Sequence, residues 1–251
     1  MLLVLDIGNT STTLGLFKKE KLLDSSYYDT HKIAHTSFIK KFIKKNKLNT
    51  VDIKALCLSS VTPHNTPHIK AYLKKNFKGT SIMEVSIKLK TGLKYNIQKP
   101  RELGADRIAN AVQAFHKFRK DVVIIDFGTA TTFDYVSKKG VYEGGIIYPG
   151  IQTSFNHLFK IAQKLEKTSL KKAHRLIGKN TEEHIHSGFY YGYISLVEGL
   201  LTKMQKEIGK PIYTIATGGF AELLAGGSKK IHKVDPYLTL HGICKIYQLN
   251  T

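Results

Sequence analysis

The sequence predicts an α/β protein made of two similar lobes with a cleft between them, and three observations carry that expectation. The chain opens on an apolar run, "MLLVLDIGNTSTTLGLF", in which Asp6 closes a strand and a turn of Gly8, Asn9, Thr10, Ser11, Thr12 and Thr13 follows. The same grammar returns at "VVIIDFGTATTFDYV", where Asp126 closes the strand and Gly128, Thr129, Thr131 and Thr132 follow. In each half three strands come first, and helices with further strands follow. The chain therefore reads as two diverged copies of one β-β-β-α unit, starting at residues 2 and 122.

Taken in order, residues 2–6, 12–17 and 21–28 have the short apolar runs of strands. "HTSFIKKFIKKN" places Phe38, Ile39, Phe42 and Ile43 at helical spacing, and "DIKALCLSSV" is a buried strand. "NTPHIKAYLKKNF" begins with Asn65, Thr66 and Pro67, a helix start. "PRELGADRIANAVQAFHKF" reads as a helix from Pro100, with Ile108, Val112 and Phe115 on one face. The second copy contains two strands, a Lys138-Lys139-Gly140 hairpin and a third strand. Helices at about 151–166, 181–208 and 219–226 follow, with a strand "IYTIAT" before the last, and a final helix spans about 236–249. The pattern breaks at "HKFRKD", so the expected lobes are 1–118 and 119–251.

A chain of 251 residues buries a sizeable core as one large domain or two smaller ones. Hydrophobic residues at 42% and charged residues at 23% are ordinary for a globular protein. No run approaches the ~18 apolar residues of a membrane span, and Asp6 interrupts the apolar start too early for a signal peptide. Cys57 and Cys244 lie in apolar settings without metal-ligand spacing, and read as buried, reduced thiols of a cytoplasmic protein. The net charge of +20 is carried by lysines spread along the chain, with arginine only at 101, 107, 119 and 175. Base-reading surfaces favour arginine. The charge therefore reads as solvated faces that attract anionic substrates, with no specific nucleic acid expected.

A turn rich in Gly, Thr and Ser exposes N–H groups and hydroxyls that can cradle phosphate. A carboxylate at the strand end cannot bind phosphate, but it can hold a cation, or water on a cation, that neutralises it. Asp6, through water to Mg2+, and Asp126 fit that role. Asp, Gly, Asn and Thr are also common turn formers; two copies in matching places favour function. Neither a Walker loop nor G-x-G-x-x-G is present. In "TIATGGFAELL", Thr217-Gly218-Gly219 ends a strand where two glycines allow an adenosine to approach the backbone, or simply form a strand-to-helix turn.

D-I-G-N-T at the start, G-A-D-R at 104–107, D-F-G-T-A-T at 126–131 and T-G-G at 217–219 stand in one order over almost the whole chain. In this the chain resembles the type III pantothenate kinases, members of the acetate and sugar kinase/Hsp70/actin superfamily. The resemblance implies a duplicated ribonuclease-H-like (actin-like ATPase) fold and ATP-dependent phosphorylation of pantothenate, the first committed step toward coenzyme A. It implies that Asp6, Ile7, Gly8, Asn9, Thr10, Ser11, Thr12, Thr13, Thr129, Gly218 and Gly219 serve ATP. Asp126 resembles the ligand of a monovalent cation, K+ or NH4+, and Asp106 the general base. Gly104, Ala105, Asp106, Arg107 and Thr181 resemble pantothenate contacts. The family forms homodimers sharing the substrate pocket, so Thr181 is expected to serve the partner's site. One position departs: the family usually has Tyr-x-x-Pro before G-A-D-R, whereas here Ile97 stands three residues before Pro100 and the nearest tyrosine is Tyr95. Tyr95 is the candidate substitute. The alternative to a kinase is a non-catalytic regulatory or accessory relative of the same fold.

Overall fold

The computed structural model describes residues 1–30, 37–162 and 164–251. The chain forms two compact units: Met1–Arg119 with Lys139–Tyr142 and Tyr237–Thr251, and Lys120–Lys138 with Glu143–Pro236. Residues 35–36 of the expected "HTSFIKKFIKKN" helix and residue 163 of the expected 151–166 helix lie outside the described residues.

In the first unit, β1 (Leu2–Ile7) is paired on both sides and is buried along nearly its whole length because helices cover both faces of its sheet. β2 (Ser11–Lys18) runs antiparallel to it and pairs in turn with β3 (Lys21–Asp29). On the other side lie β4 (Ala55–Ser60), parallel to β1, and β5 (Ser81–Glu84), giving the order β3-β2-β1-β4-β5. Alternation along β1 sorts the side chains. Leu3, Leu5 and Ile7 join a core with α1 (Ser37–Lys45) and α2 (Asn65–Asn76), through Phe38, Ile39, Phe42, Ile69 and Leu73. Leu2 and Val4 face the other way, into a core with α3 (Ala105–Phe118). Asp6 follows Leu2 and Val4 at period two, so it belongs to the α3 face.

α3 does not begin at Pro100. A single 3-10 turn, Pro100–Glu102, comes first, and Gly104 sits extended at the N-cap (φ −57, ψ 142), so the α-helix starts at Ala105. Its C-terminus is closed by Arg119 in the left-handed conformation. The last helix, α7 (Leu238–Leu249), corrects the expected second lobe: it belongs to the first unit, not to 119–251. Leu240, Ile243 and Ile246 pack with Ile108, Ala109 and Val112 of α3 and with Val4, and the Thr239 hydroxyl donates to Asn110 Oδ1 at 2.8 Å. Fully burying each such aliphatic side chain stabilises by about 1.5–3 kcal/mol, which ordering by sequence position cannot reveal.

The second unit repeats the plan. β7 (Val122–Phe127) pairs antiparallel with β8 (Ala130–Val136), and β9 (Val141–Pro149) follows β8 in the sheet. On the other side of β7 lie β10 (Tyr213–Thr217) and β11 (Lys233–Val234), both parallel. The first two residues of β9 pair with β6 (Lys94–Tyr95), and these four residues belong to the first unit. Val123, Ile125 and Phe127 pack with α4 (Ile151–Ile161), α5 (Thr181–Ile208) and α6 (Ala221–Ala225) through Ile151, Tyr190, Ile194, Val197 and Leu224. α4 ends five residues before the expected 166 because Ala162 leaves the helical region (ψ 80). The Asn180 side chain caps α5 by accepting from the Glu183 N–H at 2.9 Å. Among the described residues no helix is long and apolar enough to cross a membrane.

Candidate active site

The two carboxylate turns are built alike. Asp6 stands opposite Thr13 on the antiparallel partner and Ser59 on the parallel one. Asp126 stands opposite Thr132 and Thr217 in the same sense. Residues in register share a face, so each carboxylate is flanked by hydroxyl residues on both neighbouring strands. The first turn closes with the Gly8 N–H donating to the Ser11 carbonyl at 2.8 Å, and the second with the Gly128 N–H donating to Ala130 at 3.1 Å. Each turn also has a carbonyl tied back. The Thr30 hydroxyl donates to the Gly8 carbonyl at 2.8 Å. The Gly150 N–H (3.1 Å) and the Thr153 hydroxyl (2.8 Å) both donate to the Thr129 carbonyl. Asn9, Thr10 and Thr129 are the exposed tips, and Ile7 and Thr12 are buried beneath the first.

Gly218 has φ +90, and a Cβ there would lie 2.5 Å from Asp126 Oδ1 and 2.7 Å from the Phe127 backbone. Only glycine fits that approach, so the T-G-G segment seats against the Asp126 turn within its own unit. Gly219 differs: a Cβ there meets nothing within 4 Å. Thr181 opens α5 as an exposed residue of the second unit.

The G-A-D-R residues form the first turn of α3. Asp106 folds back over Gly104, and its Oδ1 accepts from the Arg107 N–H at 2.8 Å. Arg107 reaches the first residues of β9, where its Nη2 donates to the Tyr142 hydroxyl at 3.0 Å. Tyr95 pairs in register with Tyr142, their ring centroids 6.2 Å apart, and the Tyr95 hydroxyl donates to Thr91 Oγ1 at 3.2 Å. Burial raises the Tyr95 hydroxyl above its ordinary value, against the opposing effect of that hydrogen bond. Tyr95 and Arg107 thus both contact Tyr142. Gly104 and Ala105 line a cavity of about 1050 Å3 beyond the carboxyl ends of β4 and β5. Ser60 and Thr66 share its wall with Lys70, Lys74 and Arg101. Crevices at the carboxyl ends of parallel strands are where α/β sheets take ligands.

Sequence reasoning missed Tyr142, Thr30, Gly150 and Thr153. The two pairs of flanking hydroxyls were visible as residues but not as neighbours, because register is a tertiary property. The cysteines are buried and free, and burial pushes each thiol up to about 12. Among the described residues no group of three or more His, Cys, Asp or Glu is arranged to hold a metal.

The fold is the duplicated ribonuclease-H-like one of actin-like ATPases and sugar kinases. A Campylobacter jejuni protein described as a Baf family transcriptional activator superposes with a TM-score of 0.63 at 22% identity, covering 99% of this chain and 98% of that one. The activator of 2-hydroxyisocaproyl-CoA dehydratase from Clostridium difficile, with bound ADPNP, has a TM-score of 0.57 at 14% identity, covering 99% and 94%. Sequence goes further. The family model for type III pantothenate kinases matches residues 2–203. The type III pantothenate kinases of Myxococcus xanthus and Geobacter sulfurreducens are each 40% identical to this chain, covering 100% of it and 99% of their own length. The chain belongs to the type III pantothenate kinase family.

Proposed function

We propose that this protein transfers the γ-phosphoryl group of ATP to the primary hydroxyl of pantothenate, the first step of coenzyme A biosynthesis. The observation that carries the reading is the Asp106–Arg107 pair at the start of α3, beside the cavity lined by Gly104 and Ala105, in a chain that matches the family along its length. Asp106 orients the hydroxyl and accepts its proton as the P–O bond forms. Arg107 grips the pantothenate carboxylate with its planar fork, and Tyr95 contributes to that corner in place of the family's tyrosine. The Asp6–Thr13 turn and Thr129 hold ATP phosphates, and Gly218-Gly219 accommodates the adenosine.

Carboxylate and hydroxyl oxygens are hard donors, so Asp6 and Asp126 with their in-register neighbours fit hard cations. Asp6 would hold Mg2+ through water, and Asp126 a K+ or NH4+ ion; such ions supply neutralisation of phosphate charge. One carboxylate per site suits Mg2+, which is usually shared with substrate phosphates rather than caged by protein.

The homodimer reading rests on α5. Thr181, Ile185, Gly188 and Gly192 recur at helical spacing beside a groove of about 580 Å3 that includes Phe189 and Leu196. Ile147 and Ile161 are each 65% exposed. A second copy covering this stripe would also carry its own Thr181. Light scattering after gel filtration should give twice the 28.2 kDa chain mass. The reading places the enzyme in the cytoplasm, with its thiols reduced.

The test is coupled ADP release with ATP, Mg2+ and pantothenate, in K+ and in Na+ buffers. Pantothenate-dependent ADP release supports the proposal. Folded protein releasing no ADP on addition of pantothenate in any of these buffers refutes it.

A further inference from the structure

We infer that Tyr142 is a positioning residue for substrate: it holds the Arg107 guanidinium in the orientation that grips a carboxylate. This rests on the reading of Arg107 as the pantothenate contact. Arginine carries about 2 kcal/mol of rotamer entropy, so an arginine meant to receive a planar anion gains from being held before the anion arrives. Tyr142 is suited to hold it. Its side chain is 1% exposed, and its hydroxyl accepts from Arg107 Nη2 at 3.0 Å.

The backbone of Tyr142 is pinned as well. Its carbonyl accepts from the Asn96 N–H at 2.9 Å, and the Gly140 carbonyl two residues earlier accepts from the Lys94 N–H at 2.8 Å. The Tyr95 ring packs against the Tyr142 ring, and Tyr95 is itself tied to buried Thr91. The bracket therefore runs Thr91, Tyr95, Tyr142, Arg107, with a hydrogen bond or ring contact at each link. Nothing in the first-strand motifs or in G-A-D-R announces it, because Tyr142 lies 35 residues beyond Arg107.

Tyr142→Phe keeps the ring and its packing and removes only the oxygen. The expected result is a rise in pantothenate KM of about tenfold, equivalent to ~1.4 kcal/mol. The ATP KM should be unchanged and kcat should stay within about twofold, because the loss is of ground-state and transition-state binding alike. The second arm uses the alcohol analogue of pantothenate, in which CH2OH replaces the carboxylate. Its KM should be the same for Tyr142→Phe and the parent protein, since there is no anion to grip; a merely structural tyrosine would shift both substrates together. An unchanged pantothenate KM, or an equal shift for the analogue, overturns the inference. Arg107→Lys and Arg107→Ala run alongside. If neither raises the pantothenate KM, the reading of Arg107 fails and takes the inference with it. If either does and Tyr142→Phe does not, the inference alone fails.

Discussion

Replacing Gly218 by alanine tests whether the T-G-G segment positions the Asp126 turn. The added Cβ would sit 2.5 Å from Asp126 Oδ1 and 2.7 Å from both N and C of Phe127, where ordinary contact begins at 3.4 Å. Two of those three atoms are backbone, so no side-chain rotation relieves the overlap. The β7 end and the turn between β10 and α6 must separate by about 0.7 Å, an overpacking that typically costs about 1–3 kcal/mol. Alanine at φ +90 adds about 1–3 kcal/mol of backbone strain. Together these come to roughly 2–6 kcal/mol, which for a chain of this size is a fall in Tm of about 5–20 °C. The functional consequence is specific. Moving Asp126 should raise the ATP KM and blunt activation by K+, while the pantothenate KM stays put. Differential scanning calorimetry and the ADP-release assay in K+ and Na+ buffers read both effects. Gly219→Ala is the control for stability alone, because its Cβ meets nothing within 4 Å in the protein and Tm should stay parental. A Gly218→Ala protein with parental Tm and parental ATP KM would refute the reasoning.

Three further outcomes are expected. Asp106→Asn keeps shape but cannot take a proton, so kcat should fall by about 10²–10⁴ with ATP binding retained; near-parental turnover by the folded variant removes Asp106 from catalysis. Asp126→Asn should bring the rates in K+ and Na+ together, and an undiminished preference for K+ would place the ion elsewhere. Asp121 should shape the acid limb of stability. Burial alone would raise its carboxyl, but Lys210, the Tyr135 hydroxyl and the Lys138 N–H together hold it below its ordinary value. A depressed carboxyl contributes stability that is complete above the unfolded value of about 3.9 and is lost as pH falls through the folded one. Asp121→Asn should therefore lower Tm at pH 7 and flatten its decline below about pH 4, as thermal unfolding across pH would show; an unaltered acid limb contradicts the assignment.

Much of this protein is legible along the chain. The strand ends at Asp6 and Asp126 show because an apolar run interrupted by a carboxylate and a Gly/Thr turn is a local pattern, and the copy at residue 122 doubles the signal. The long helix α5 shows for the same reason: Asn180 caps it and Gly209 ends it in the left-handed conformation. G-A-D-R at 104–107 marks where α3 carries Asp106 and Arg107. These features depend on neighbours within a turn or a strand length.

What the tertiary structure decided depends on separation in sequence. α7 packs on α3 from more than a hundred residues away, because both helices have apolar faces and only three dimensions show which one covers which. Register placed Ser59 beside Asp6 and Thr217 beside Asp126, and a one-residue slip would have turned every one of those hydroxyls to the opposite face. The same pairing set Tyr95 against Tyr142 through a two-residue strand. Tyr142 itself looks like one more aromatic of a β-strand. Its hydroxyl acquires a meaning only where the fold buries it next to a guanidinium, since a polar atom taken out of water must find a partner.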